Sequence, residues 1–169
     1  KGEDLKNAIP DKIYISLKDM RILTKVDMLM LEMLANCNWE RPLYMAISVG
    51  EVSKLKFDHY FVQEGLAFRF TPFDYKKWGN VKGDNNYAID VERLYENVMN
   101  RYKYGGLDTP GLYLDETTLR TCYYHRRLFA QLAKELIRQG DNTRARKVLT
   151  YAEQAVPAYN VPEIYESGS

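Results

Sequence analysis

The side chains best suited to chemistry in this 169-residue sequence are charged and aromatic residues that flank two predicted strands. Trp39 and Arg41 directly precede one strand, and Glu64 and Arg69 lie on either side of Gly65 at the start of the next. If the two strands are neighbours, these four side chains share one rim of the sheet. Arg can bind carboxylate or phosphate through two parallel hydrogen bonds, and Trp can stack on a sugar face or a cation. Two interpretations stay open: an ion pair that fixes the strand ends, or a ligand site.

The two histidines are the other candidates for chemistry. His59 lies close to Asp58 and Glu64, which makes it a candidate general base, although a hydrogen-bonded structural histidine is the default interpretation. His125 lies among tyrosines and arginines on a predicted helix and is interpreted as a surface or interface residue. The sequence contains no phosphate-binding glycine loop, nucleophile elbow or zinc-type Cys/His spacing, so no catalytic residue, metal or cofactor is predicted.

Composition excludes several classes of protein. Apolar residues make up 46% and charged residues 28% of the chain, which is typical of a globular protein with a real core. The net charge is +1 without a basic block, so nucleic-acid binding is not predicted. No apolar run reaches about 18 residues, so we expect this chain not to span a membrane. Cys37 and Cys122 lie on apolar helical faces and are expected to be free. The abrupt start at Lys1 suggests a piece of a longer protein.

The first half of the sequence predicts a small α/β layer. β-Branched and aromatic runs predict strands at 12–17, 43–49 and 66–70. Thr24 and Asp27 have the spacing of a capping box, followed by a helix that ends near residues 36–38. Strand, helix and strand in this order predict a parallel, right-handed βαβ unit. A short helix is predicted at 52–63 and a long surface loop at 73–87.

The second half of the sequence predicts helices. Asp90 and Asp115 precede two amphipathic patterns and are expected to cap them. Gly140 then separates two further apolar faces, with Asp141 or Asn142 as the next cap, and Pro157 ends the pattern. The predicted fold class is therefore α/β followed by an α-helical part. The predicted division is an α/β subdomain at 1–80 and a helical subdomain at 81–169, with a helical hairpin at about 126–159.

The hairpin resembles a single tetratricopeptide repeat. The residues that carry this resemblance occur in the order and spacing of that motif: Phe129, Leu132, Ala133, Leu136, Gly140, Ala145, Leu149, Ala152 and Pro157. Stacked repeats of this family form partner-binding grooves, usually from about three or more copies. Two interpretations stay open: the hairpin only completes the core of this domain, or it also offers a groove to a partner.

A second resemblance covers roughly residues 9–157. Residues 36–44 read NCNWERPLY and residues 63–72 read QEGLAFRFTP. Both phrases resemble the C-terminal region of bacterial multi-pass membrane proteins of the protein O-mannosyltransferase-like, GT-C-type glycosyltransferase family, long described only as a domain of unknown function. In that family the catalytic site lies in the preceding membrane part, so the resemblance implies no catalytic residue here. It implies a non-catalytic domain on the periplasmic, extracytoplasmic side of an inner membrane.

The resemblance also implies partners for the chain. These are an acceptor protein or glycan that the domain binds or positions, and the parent membrane domain in cis. The candidate binding residues are Trp39, Arg41, His59, Glu64 and Arg69. Two alternatives come from other classes. The chain could be a protein-interaction scaffold acting through its helical half, or a small stand-alone hydrolase or transferase that uses His59 and Glu64.

Overall fold

The computed structural model describes residues 12–18, 21–37, 39, 41–49, 58–75 and 87–162. The chain forms two compact units, Lys1–Asp90 and Val91–Ser169. In the first unit the elements are α1 (Lys25–Asn36), β1 (Tyr44–Ala46), a 3-10 turn (Asp58–Tyr60), β2 (Phe61–Gln63), β3 (Ala67–Phe70) and β4 (Ala88–Ile89).

The strands form one mixed sheet in the order β1-β3-β2-β4. β3 is antiparallel to both β1 and β2, whereas β2 and β4 run parallel. The α/β class with a following helical part is confirmed, but the predicted parallel βαβ unit is not formed, because residues 12–17 make no strand and β1 pairs antiparallel with β3. Strand β2 ends at Gln63 and β3 begins at Ala67, and so short a connection can only join antiparallel strands. Gly65, with a φ of 149°, turns the chain between them.

Two further predictions in this unit differ from the structure. The predicted strand at 12–17 forms no ladder, although Ile13 and Ile15 pack on the core and Tyr14 is exposed. Its alternating pattern therefore reports side-chain packing and not strand pairing. The predicted helix at 52–63 ends as a 3-10 turn and strand β2, while residues 52–57 and most of the predicted loop lie outside the described residues.

The capping box at the start of α1 is confirmed. The Asp27 N–H donates to Thr24 Oγ1 at 3.2 Å, and the Thr24 N–H donates to Asp27 Oδ2 at 2.8 Å. The helix packs Met30, Leu31 and Leu34 against the aromatic core of the sheet. That core consists of the buried rings of Tyr60, Phe61, Phe68 and Phe70.

The second unit is helical in all its described elements. They are α2 (Val91–Glu96), a π-helical turn (Asn97–Arg101), α3 (Glu116–Arg138) and α4 (Asn142–Ala155). The predicted division after residue 80 differs from the observed one, because β4 pairs with β2 and keeps residues up to Asp90 in the first unit.

The predicted caps at Asp115 and Asp141 and the glycine turn at Gly140 are confirmed. Asp115 Oδ1 accepts from the backbone N–H groups of Thr117 at 2.8 Å and Thr118 at 3.0 Å, which caps α3. Gly140 has a φ of +82°, and Asp141 Oδ1 then accepts from the Arg144 N–H at 2.9 Å to cap α4. Glycine relieves the strain that a side chain would meet at this left-handed turn.

Helices α2, α3 and α4 share an aliphatic core. Its fully buried side chains are Leu94, Leu128, Leu132, Leu136 and Val148. Leu149, which the sequence placed on the same inner face, is 47% exposed. Cys122 is buried and unpaired, and burial raises the pKa of its thiol, so it behaves as a small apolar side chain.

Candidate functional site

Trp39 has an unusual backbone conformation. Its φ of 60° is the one positive φ that a non-glycine residue adopts in the described part of the chain. A bulky residue in this left-handed region costs about 1–2 kcal/mol, so surrounding contacts must hold it there. The indole stacks on the Phe70 ring, with centroids 5.6 Å apart and planes 6° apart. About half of the Trp39 residue, 51%, is still exposed. The strained backbone thus presents an indole that is fixed on one face and open on the other.

A cavity of about 360 Å³ lies beside this indole. Helix α1 contributes Leu31, Leu34 and Ala35 to its wall, and the remaining lining residues are Ile13, Ile15, Trp39, Phe70 and Pro72. This volume falls at the lower end of the roughly 300–1,000 Å³ that is typical of small-ligand sites. Because every lining side chain is apolar or aromatic, an apolar group of a ligand can pack against them.

Glu64 and Arg69 form a close ion pair. Arg69 Nε donates to Glu64 Oε1 at 2.5 Å, and the Tyr44 hydroxyl donates to Glu64 Oε2 at 3.3 Å. The Glu64 side chain is only 9% exposed, whereas that of Arg69 is 30% exposed. Both carboxylate oxygens are therefore occupied within the sheet. The sequence pointed to this pair but missed Tyr44, which lies directly opposite Arg69 in the ladder between β1 and β3.

The predicted shared rim is not formed. Neighbouring side chains on a strand point to opposite faces of the sheet, so Arg69 and Phe70 cannot face the same way. Trp39 stacks on Phe70 at the core face of the sheet. Glu64 pairs with Arg69 at the opposite face. Arg41 is exposed near Trp39 in the chain. The sequence-predicted residues thus separate into an indole beside a cavity and an ion pair behind it.

His59 lies away from this pair along the chain. Its Nε2 is 4.0 Å from Asp74 Oδ2, and its ring is 4.4 Å from the Tyr60 ring. Burial, and then the nearby Asp74, raises the pKa of the Tyr60 hydroxyl. His59 precedes β2 and Glu64 follows it, which separates them by roughly 10–15 Å of mostly extended chain. The two residues therefore lie at opposite ends of β2, and His59 contacts Asp74 and Tyr60.

His125 is not the surface residue that its neighbours suggested. It is half-buried, and the rings of Tyr102 and Tyr104 meet it edge-on at centroid distances of 5.9 Å and 5.2 Å. Burial lowers the pKa of its imidazole, so the ring is neutral at physiological pH. The expected surface side chain is part of an aromatic cluster in the second unit.

The described residues contain no group of three or more His, Cys, Asp or Glu side chains arranged to hold a metal ion. Within the same ranges, no helix has both the length and the apolar character needed to cross a bilayer.

The fold and the cavity define a class: a small mixed-sheet α/β module with an apolar, indole-flanked pocket, followed by a helical unit. The family model of TMEM260-associated domain 2 matches residues 1–92, and the chain belongs to this family. The match covers the whole of the first unit and ends at the start of α2. Neither the curated proteins nor the solved structures gave a significant match.

Proposed function

We propose that this chain is the non-catalytic, extracytoplasmic part of a membrane glycosyltransferase-like protein, and that it binds and positions the acceptor. Membership of a TMEM260-associated family and the two sequence phrases shared with O-mannosyltransferase-like proteins support this proposal. In this proposal the chemistry takes place in a membrane part of the parent protein, and the acceptor is a protein segment or the glycan that it carries.

The observation that carries the proposal is the pocket beside Trp39. Backbone strain is retained where the rest of a structure enforces it, and such positions concentrate at binding sites. Here the strain holds a half-exposed indole against Phe70 at the wall of an apolar cavity. An aliphatic or aromatic side chain of an acceptor protein fits this lining. The indole rim can stack on a sugar attached nearby.

The role of the ion pair is structural in this proposal. Glu64 is nearly buried and its oxygens accept from Arg69 and Tyr44, so it ties β1, β3 and the β2–β3 turn together. Of the five candidate residues, Trp39 contacts the acceptor, Arg41 is exposed two positions further along the chain, and Glu64 and Arg69 hold the sheet. His59 packs on Tyr60 and supports the core.

The test uses the full parent protein in cells that lack their own copy. Trp39→Ala is compared with wild type for glycosylation of the acceptor proteins, measured by the intact masses of those proteins. We expect a loss of about tenfold, which corresponds to removal of an aromatic contact of about 1.4 kcal/mol. The matched control is Tyr113→Ala, which removes another highly exposed ring, 87% exposed, in the second unit.

Equal glycosylation by the Trp39→Ala and Tyr113→Ala proteins, at equal abundance in the membrane fraction, would overturn the proposal. A variant that is degraded does not count as a loss of binding. Leu34→Met, which alters the cavity floor and keeps an apolar side chain of similar volume, then serves as a second test. It should shift the preference among acceptors while the protein remains folded.

A second candidate function is a protein-interaction scaffold built on the helical unit. The pair α3 and α4 resembles one tetratricopeptide repeat, and two aliphatic side chains on it stay exposed: Ile137 at 55% and Leu149 at 47%. In a stacked array such residues would meet the next repeat. The double variant Ile137→Ser, Leu149→Ser should abolish co-purification of a protein partner with the parent. Unchanged co-purification would remove this candidate.

A further inference from the structure

A second cavity, of about 370 Å³, lies within the helical unit. Its wall differs in character from that of the first cavity. It combines the aromatic side chains Tyr102, Tyr104 and Tyr151 with the polar side chains Asn100, Lys103 and Gln154. Asp108 and the backbone of Gly105 and Gly106 complete one side. The cavity contains one basic and one acidic side chain, so its wall is close to neutral.

The tyrosines of this wall hold one another in place. The rings of Tyr104 and Tyr151 meet edge-on at a centroid distance of 6.0 Å, and both pack on Phe129. The Tyr104 hydroxyl donates to the Val98 carbonyl oxygen at 2.7 Å, and burial raises its pKa, so it remains a neutral donor. Rigid aromatic rings suit the apolar faces of a ligand, and the neighbouring polar side chains suit its hydroxyl groups.

The backbone around the cavity is irregular where it contributes to the wall. Asn100 lies in the π-helical turn, in which the Tyr102 N–H donates to the Asn97 carbonyl oxygen at 2.8 Å. Such turns are rare and occur frequently at functional sites. Gly105 and Gly106 follow with φ values of +58° and +76°, and a Cβ built on Gly105 would meet nothing within 4 Å. The space beside Gly105 is therefore open, which leaves its backbone accessible to a ligand, whereas Gly106 has Thr109 Oγ1 at 3.7 Å from such a Cβ.

We propose that this tyrosine-lined cavity binds a neutral sugar residue of a glycan. Each feature of the wall matches a property of such a ligand. The tyrosine rings offer surfaces for the C–H faces of a pyranose, while the Asn100 and Gln154 amides and the Gly105–Gly106 backbone offer donors and acceptors for its hydroxyl groups. The near neutrality of the wall disfavours phosphate and other strongly charged ligands. This site is separate from the Trp39 pocket and does not depend on the function proposed for that pocket.

The test is a titration of the full 169-residue chain with the methyl glycosides of common hexoses and N-acetylhexosamines. Binding is measured by ligand-observed NMR and by amide shifts in the ¹⁵N-labelled protein. We expect at least one glycoside to bind, with the shifts concentrated at residues 99–108 and 151–155. Tyr151→Ala should weaken that binding about tenfold through loss of its aromatic surface.

Gln154→Ala and Lys147→Ala form a matched pair of exposed positions on α4, of which only Gln154 lines the cavity. We expect Gln154→Ala to weaken binding by about fivefold, the effect of one hydrogen bond, and Lys147→Ala to leave it unchanged. Gln154 is exposed, so this variant tests the cavity even if Tyr151→Ala fails to fold. Absence of binding by every glycoside, or equal weakening by both variants, overturns the proposal. Binding of tetramethylammonium in place of glycosides also overturns it, because three aromatic rings would then form a cation cage.

Discussion

The two units of this protein are stabilised in different ways. Among the described residues, the first unit buries Asp27, Gln63, Glu64 and Thr71 alongside its aromatic core, whereas the second buries Asn160. The second relies on leucine and valine side chains that are completely buried between helices. Hydrogen bonds and ion pairs depend on direction as well as distance, whereas aliphatic side chains contribute through close packing that has little directional preference. The first unit is thus suited to fix the orientation of a few side chains, and the second to resist unfolding.

This contrast explains why the cavity of the first unit and the cavity of the second unit lie in different relation to their cores. In the first unit the aromatic core reaches the surface through Phe70 and Trp39, so the pocket is an open continuation of the core. In the second unit the aliphatic core is closed, and the cavity is formed beyond it by tyrosines of the π-helical region and α4. An apolar pocket and a polar, aromatic cavity are accordingly expected to bind chemically different groups.

The largest effect that would sharpen this comparison concerns two leucines. Leu132 in α3 is 0% exposed, whereas Leu34 in α1 is only partly buried. We expect Leu132→Ala to lower the free energy of unfolding by about 3–5 kcal/mol, because it leaves a cavity in a closed core. Leu34→Ala should cost about 1–2 kcal/mol. Urea unfolding followed by circular dichroism measures both, with the exposed Leu149→Ala as the control. Equal losses for Leu34 and Leu132 would contradict the contrast.

The ion pair of the first unit should respond asymmetrically to mutation. Arg69→Ala leaves the nearly buried Glu64 carboxylate without its cation, and we expect a loss of about 2–4 kcal/mol. Glu64→Gln leaves Arg69 able to reach water and should cost about 1–2 kcal/mol. Denaturant unfolding of the two single variants and the double variant gives the coupling energy. Additive losses would show that the two side chains do not act as a pair.

The turn between α3 and α4 supplies a smaller effect. A Cβ at Gly140 meets nothing within 4 Å, so Gly140→Ala adds no clash. The φ of +82° still disfavours any L side chain, and we expect a loss of about 1 kcal/mol. Gln139→Ala, one position earlier with an ordinary helical φ of −81°, is the control and should change stability little. A Gly140→Ala protein as stable as wild type would show that this turn can rearrange.

The smallest predicted effect is on the stability of the folded protein at low pH. Hydrogen bonds from Thr118 hold the pKa of Asp115 below its ordinary value, and hydrogen bonds from Arg144 do the same for Asp141. Each lowered pKa adds stability that is fully present above the unfolded-state pKa of 3.8 and is lost as the pH falls through the folded-state pKa. We expect the double variant Asp115→Asn, Asp141→Asn to lose less stability than wild type between neutral pH and pH 2. Thermal unfolding across this range measures the difference. Parallel pH profiles would contradict it.

The sequence predicted the second unit better than the first, for a physical reason. The caps at Asp115 and Asp141 and the glycine turn depend on residues within a few positions of each other, so local spacing is sufficient to find them. The sheet depends on pairings between distant segments. β1 lies beside β3 and not beside the extended run at 12–17, and no local pattern encodes that choice.

The candidate site was predicted in part for the same reason. The residue types at Trp39, Glu64 and Arg69 identified an indole and an ion pair, but the face that each side chain occupies follows from strand register. The left-handed backbone of Trp39 was also hidden, because bulky residues rarely adopt it and the sequence carries no signal for it. The π-helical turn was missed because its apolar spacing is close to that of an ordinary helix.

The π-helical turn also has a consequence for how related chains can differ in length. A turn closed by a hydrogen bond from Tyr102 back to Asn97 contains one residue more than an α-helical turn. Homologues that lack one residue between 97 and 101 could therefore continue the same helix without a break. Their tyrosines would then be rotated relative to α2 by about 100°, one residue of a helix. We expect such shorter chains to keep the fold and to lose the tyrosine wall. An alignment gap at this point would therefore separate the chains that bind a sugar in this cavity from those that do not.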